Sequence, residues 1–253
     1  MESSLHRELK GRYAGPAAGS VEFRQGPFVA DAIGPDGAWV EIQSSPLGAL
    51  GGKLGRLLEA GRVVRVVKPV VLTHRIVRPN RPGDGRLSPR RGDLIEVFDE
   101  LVNLMRYFPH DRLSIEVVGV HIAEVREHRR RRPGYVVTDR CLRGFGPSVV
   151  LRGGQDLWGL LPADGCNLPE PFTTLDLDRH LGRGQPFAQR VAYCLRQSGA
   201  VTSGNCLQRR RQYRRVEPPA PLPAEGARPT MRRVVGLDRA LARSGVSTEG
   251  LLP

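Results

Sequence analysis

The run RVVRVVKPVVL, residues 62–72, is nearly continuous in valine. A strand with one wet face alternates apolar and polar residues, whereas a strand covered on both faces does not need to, so this run predicts a layered α/β fold. Its neighbours supply the layers. LGALGGKLGRLLEAG, residues 47–61, sets Leu47, Leu50, Leu54, Leu57 and Leu58 at helical spacing. Each internal glycine weakens such a helix by about 1 kcal/mol relative to alanine, so packing must hold it. SSLHRELKGRYA, residues 3–14, spaces Leu5, Leu9 and Tyr13 at four-residue intervals behind capping serines and ends at Gly15-Pro16. Between these helices SVEFRQ, FVADAI and AWVEIQ are three short β-like segments, the last two joined by the turn sequence GPDG. The order is αβββαβ.

Farther along, RPNRPGDGRLSPRRG (78–92) is too poor in apolar residues to order itself and long enough to reach over a substrate. DLIEVFDELVNLMRYF (93–108) starts at an Asp cap and predicts one helix with Leu94, Val97, Leu101, Leu104 and Met105 on a face. SIEVVGVHIAEVREH (114–128) predicts another strand. RRRRPG at 129–134 marks the expected junction between a first domain, 1–128, and a second, 129–217. In that second part Thr173 or Thr174 caps a helix through Leu181, Gly182 to Pro186 make a turn, and Phe187 to Gln197 form a second helix. GAVTSGNCLQRRRQYRRV (199–216) then offers a glycine cap, a strand, a Ser-Gly-Asn turn and an arginine-laden strand, the plan of an α+β winged helix-turn-helix domain. The Pro/Ala-rich stretch after Glu217 predicts a disordered tail, 218–253.

The 253 residues carry a net charge of +13, which points to an acidic polymer as partner. Lys10, Lys53 and Lys68 are the only lysines, an arginine bias that a GC-rich genome also produces. If Phe187 to Gln197 is a recognition helix, Gln189, Arg190 and Gln197 face the groove of double-stranded DNA, and Arg209, Arg210, Arg211 and Arg214 on the wing meet phosphates. There is no transmembrane run, and the start MESSLHRELK lacks the cationic and apolar regions of a secretory signal, so a cytoplasmic protein with no membrane partner is expected. Cys141, Cys166, Cys194 and Cys206 are too far apart for a CxxC knuckle, and the six histidines form no HxH or HxxxH spacing, which argues against zinc.

Asp31 and Glu41 fall within β-like runs, where carboxylates are disfavoured unless something compensates them. Two carboxylates on neighbouring strands can hold a divalent ion, with Glu2, or less well Glu8, adding a third acid from the first helix. Gln43 is two residues past Glu41 and so shares its face. The acid before the meander, Asp31 in the second strand and the triplet in VEIQSS together resemble the PD-(D/E)xK nuclease-like superfamily over about the first half of the chain. VEIQ looks like the Glu-x-Gln variant of competence-associated nuclease-like proteins, and the whole layout is similar to a bacterial branch that joins such a core to a C-terminal winged helix. The resemblance implies a restriction-endonuclease-like αβββαβ core with a mixed sheet, Mg²⁺ or Mn²⁺ held by Glu2, Asp31 and Glu41, and a catalytic set of Asp31, Glu41 and Gln43. Gln43 stands where the superfamily's triplet has lysine and brings no charge, so Lys53 on the next helix is the candidate for a displaced cation, or else an ordinary solvated lysine. Two functions follow from this: a metal-dependent deoxyribonuclease guided by its winged helix, and a catalytically silent nuclease-fold module that binds DNA or regulates.

Overall fold

Strand β5 (Val64–Val77), which takes up the valine run from Val64 on, lies inside the sheet, and its first half, Val64 to Val70, is covered on both faces. The computed structural model describes residues 2–217 apart from 18, 80–82, 84 and 208–209; the segment 218–253 and Arg209 lie outside the described residues. The other elements are α1 (Ser4–Tyr13), β1 (Arg24–Gln25), β2 (Phe28–Val29), β3 (Ala32–Ile33), β4 (Trp39–Ile42), α2 (Gly51–Glu59), β6 (Arg86–Leu87), α3 (Phe98–Leu101), β7 (Leu113–His128), β8 (Tyr135–Leu151), α4 (Thr174–Leu181), α5 (Gln185–Gln197), β9 (Val201–Leu207) and β10 (Arg210–Arg215).

A mixed sheet runs in the order β3-β4-β5-β7-β8, with β6 paired to β5. β3 and β4 are antiparallel, with Ala32 opposite Val40, while β4, β5 and β7 are mutually parallel and β8 returns antiparallel to β7. On one face, Leu5 and Leu9 of α1 close over Ala32, Val40, Ile42, Val67, Val118 and Val120. On the other, Leu54 and Leu57 of α2, Phe98 and Leu101 of α3, and Val191 and Leu195 of α5 join Val64, Val66, Ile115 and Val117 in the larger core. The chain is therefore a mixed α/β protein whose helices cover both faces of a mixed sheet.

Several expectations need correction. FVADAI is not one strand but is split into β2 and β3. The meander itself forms, since SVEFRQ pairs with β2 as a hairpin and stays bonded on to β3 through the Val21–Ala32 bridge, the Glu22 N–H on the Asp31 carbonyl and the Ile33 N–H on the Ser20 carbonyl. Residues 93–108 are not one helix: a 3-10 segment, Leu94–Val97, leads into the four-residue α3 and then into turns. Tertiary demands override the helical pattern there, because Glu100 is drawn to Lys68 Nζ at 2.7 Å and to the Leu47 N–H at 2.9 Å, while Leu104, Met105 and Phe108 turn into the core. The expected domain junction is the hydrogen-bonded turn of the β7-β8 hairpin, in which the Arg129 N–H donates to the Gly134 carbonyl. Residues 1–218 group into one compact unit, with α5 in the same core as α3, so the boundary at 129 separates nothing.

In the C-terminal part Thr173 caps α4 in a reciprocal box with Asp176, and Gly182, at φ 63°, ends the helix in the left-handed conformation that glycine adopts freely. β9 and β10 form an antiparallel hairpin, but Ser203-Gly204-Asn205 lies within β9 and is not its turn. Phe172 bridges to Tyr213 and stacks on its ring at 5.6 Å, fixing the hairpin to the body.

Lys68 is only 5% exposed and also donates to the Ser45 carbonyl. Glu100→Ala would strand this ammonium without its counter-ion, so a loss of about 3 kcal/mol is expected in urea denaturation. Glu96→Ala, on the exposed side of the same segment, should change stability by no more than about 0.5 kcal/mol.

Candidate active site

Asp31 precedes β3, and its Oδ2 accepts the Ile42 N–H at 2.8 Å, which ties it to the end of β4. Glu41, in the middle of β4, is 4% exposed. Its Oε2 lies 2.5 Å from Lys53 Nζ, presented by α2, while its Oε1 is buried with no hydrogen-bond partner among the described residues. Burial pushes the Glu41 carboxyl up to about 7 against the pull of Lys53, and the neighbouring Asp31 charge pushes the same way.

α1 supplies the other wall. Glu2, His6 and Lys10 recur every four residues and so share one side of the chain entering and forming the helix. Lys10 Nζ lies 2.9 Å from Glu2, 3.1 Å from Glu22 and 3.5 Å from Asp31. Burial disfavours the charged ammonium, but these carboxylates outweigh it and hold Lys10 above the usual lysine range. His6 Nε2 stands 3.5 Å from Asp31 Oδ1 and 3.7 Å from Glu2. Burial alone would raise Asp31, yet the His6 and Ile42 hydrogen bonds keep its carboxyl below the usual range. Glu2 is lowered chiefly by Lys10.

Of the expected residues, Lys53 and Asp31 thus act on Glu41, whereas Glu2 contacts Lys10 and His6 and is not brought to Glu41. Glu2 sits ahead of the cap Ser3 and outside the helix proper, and Glu8 is exposed elsewhere. Gln43 is not free to act there, because its Nε2 donates to Ser45 Oγ at 2.6 Å and to the Pro46 carbonyl at 3.0 Å, shaping the turn into α2. His6, Lys10 and Glu22 were not foreseen from sequence. The four-residue spacing of Glu2, His6 and Lys10 was the available signal for the first two.

Among the described residues no three His, Cys, Asp or Glu side chains come together in a ready metal cluster. The donors still fit a hard ion. Among the described residues Glu41 Oε1 has no hydrogen-bond partner, the ion pairs of Asp31 Oδ1 with His6 and Lys10 are both 3.5 Å long, and Mg²⁺ commonly binds through one or two carboxylates while keeping several waters.

Away from this site, Gln189 is exposed on α5, but Arg190 is held by Asp99 at 2.7 Å and Gln197 borders a groove with Met105, Tyr107 and Pro109. Arg210, Arg211 and Arg214 are exposed on β10. Arg215 turns inward, donating to the Asp164 carbonyl and covering the Trp158 ring. No helix among the described residues is long and apolar enough to cross a membrane.

An uncharacterized protein of Treponema pallidum (strain Nichols) is 32% identical over 225 residues, which cover 86% of each chain. No solved structure matches. The family described as "Domain of unknown function (DUF8091)" matches residues 3–152, a span from α1 to the end of β8 that holds His6, Lys10, Asp31, Glu41 and Lys53. The chain belongs to that family.

Proposed function

We propose that this chain is a Mg²⁺-dependent phosphodiesterase acting on double-stranded DNA, a PD-(D/E)xK-type nuclease built on a restriction-endonuclease-like core with a C-terminal winged helix. The observation that supports it most is the buried, unpartnered Oε1 of Glu41 beside Asp31, with Lys53 paired to the other oxygen. An orphaned carboxylate oxygen in a buried site is costly unless a ligand uses it. Asp31 and Glu41 would hold Mg²⁺ or Mn²⁺. When bound, the ion supplies charge to the phosphate oxygens and lowers the pKa of a coordinated water. Lys53 keeps Glu41 oriented and brings positive charge to the place left empty by Gln43. Ser3, at the cap of α1, positions the Glu2–His6–Lys10 row, which in turn fixes Asp31. The thiols Cys141, Cys166 and Cys194 are free, as befits a reducing cytoplasm.

The direct test is digestion of plasmid, linear and single-stranded DNA with Mg²⁺ and with EDTA. Cleavage that needs the metal is expected.

A second reading, a silent nuclease-fold module, is favoured by one observation: Lys10 already pairs with Glu2, Glu22 and Asp31, occupying the side of Asp31 that an ion would use. Under that reading Mg²⁺ raises neither cleavage nor Tm.

In the winged helix, replacing Arg210, Arg211 and Arg214 with alanine should weaken binding to all duplexes alike and flatten the salt dependence by about one unit of slope per lost phosphate contact. Gln189→Ala should instead alter sequence preference. Arg190, tied to Asp99, is expected to matter less. Fluorescence anisotropy with a labelled duplex at several salt concentrations separates these outcomes.

A further inference from the structure

β5 accompanies β7 as far as Val77, opposite Val125. Beyond that point β7 and β8 continue alone, pairing Arg126 with Val137, Glu127 with Val136 and His128 with Tyr135. Arg129, Arg130, Arg131 and Arg132 occupy the exposed turn at the end of this ribbon. At its base lies a groove of about 250 Å³ lined by Thr73, Arg75, Leu87, His121, Ile122 and Arg143.

The charges along the ribbon are not distributed alike. Arg126 and Arg140 reach Glu124 at 2.6 and 3.5 Å. Among the described residues, the four turn arginines, Arg75 and Arg143 make no ion pair, and the groove lining has no carboxylate. Arg75 is instead braced by the Gly85 carbonyl, and His121 by Thr73 Oγ1 at 2.7 Å from its Nδ1. Glu127 is the one carboxylate among residues 126–137, against five arginines, and such an excess of cations destabilises the compact state through self-repulsion, which a polyanion relieves.

The dimensions suit a duplex. A two-stranded ribbon fits a major groove about 12 Å wide. From His121 to Arg129 the strand covers roughly 27 Å at about 3.4 Å per residue, a length along which B-DNA carries on the order of 16 phosphate charges.

We propose that the β7-β8 ribbon is a duplex-binding surface in its own right, with Arg129–Arg132 at its tip and Arg75 and Arg143 at its base against phosphates. This goes beyond the nuclease reading and does not depend on metal or on the winged helix.

The test uses the full chain, a labelled DNA duplex and EDTA, so that failure of cleavage leaves it untouched. Anisotropy is measured across a salt series. Alanine at all four of Arg129, Arg130, Arg131 and Arg132 should reduce the slope of log affinity against log salt by up to about four units, and Arg75→Ala with Arg143→Ala by about two. The wing substitutions named above should leave these decrements in place. A control removing Arg56 and Arg152, exposed on other parts of the surface, should leave the slope unchanged. Slopes unaltered by the ribbon substitutions, or a control that loses as much per arginine, would overturn the proposal.

Discussion

Asp31→Asn is expected to lower metal-dependent DNA cleavage by more than about a hundredfold, since losing a direct ligand should exceed the 10- to 100-fold typical of lost outer-shell partners. Asparagine is nearly isosteric, and its carbonyl can still accept the Ile42 N–H that anchors the position. What disappears is the negative charge facing His6 and Lys10. Under the proposed function Mg²⁺ is expected to raise the Tm by binding the folded state, and that rise should vanish with the charge. Circular dichroism verifies that the variant is folded, and a thermal series with and without Mg²⁺ reads the effect. Equal responses of wild type and variant would place the metal elsewhere.

Glu41→Gln is expected to abolish cleavage and, unusually for a buried site, to stabilise the protein at alkaline pH. The folded-state carboxyl is raised to about 7 from an ordinary 4.5. Between those values the folded protein keeps a proton that the unfolded chain has released, so stability falls as pH rises through this window and levels off above about 7. The span corresponds to about 3 kcal/mol at most. Glutamine has no proton to lose, so the variant should be less sensitive between pH 5.5 and 8 and gain most at pH 8. Asp31 works in the opposite direction: its lowered carboxyl contributes stability above its ordinary pKa that is lost as pH falls. Because a bound cation must displace the Glu41 proton, Mg²⁺ affinity should also rise with pH up to about 7. Urea denaturation at the two pH values checks the stability claim. A wild type that is equally stable at both, with no gain in the variant, would contradict it.

The sheet was legible where periodicity and burial coincide. Valine at 64, 66, 67, 70 and 71 can satisfy neither a helix stripe nor a half-wet strand, and the structure packs these residues between two helical layers, while Val63, ahead of the strand, is exposed. Leu94 to Phe108 misled because its helical spacing is real, but Glu100 answers Lys68 and Leu47 across the fold, a demand that no local pattern carries. β8 was not foreseen, because exposed arginines and the glycines Gly144 and Gly146 break any apolar alternation in residues 135–151; Gly146 lies where a Cβ would come within 2.5 Å of Leu72. At the site, Asp31 and Glu41 stood out as acids in strands. Lys10 and His6 did not, since a charged helix face is usually solvated, and their role appears only when Asp31 is folded against them. Gln43 was placed by its two-residue spacing, but that spacing could not reveal that Ser45 and Pro46 bind its amide.

The pair Lys53→Ala and Gln43→Ala, compared with wild type in digestion of supercoiled plasmid with Mg²⁺, tests the central claim most directly. Lys53 touches Glu41 at 2.5 Å, whereas Gln43 holds a turn. The account predicts cleavage by wild type in Mg²⁺ and none in EDTA, near-complete loss in Lys53→Ala, and activity within a few-fold of wild type in Gln43→Ala. No Mg²⁺- or Mn²⁺-dependent cleavage by the wild type, or cleavage that survives Lys53→Ala unchanged, would contradict it.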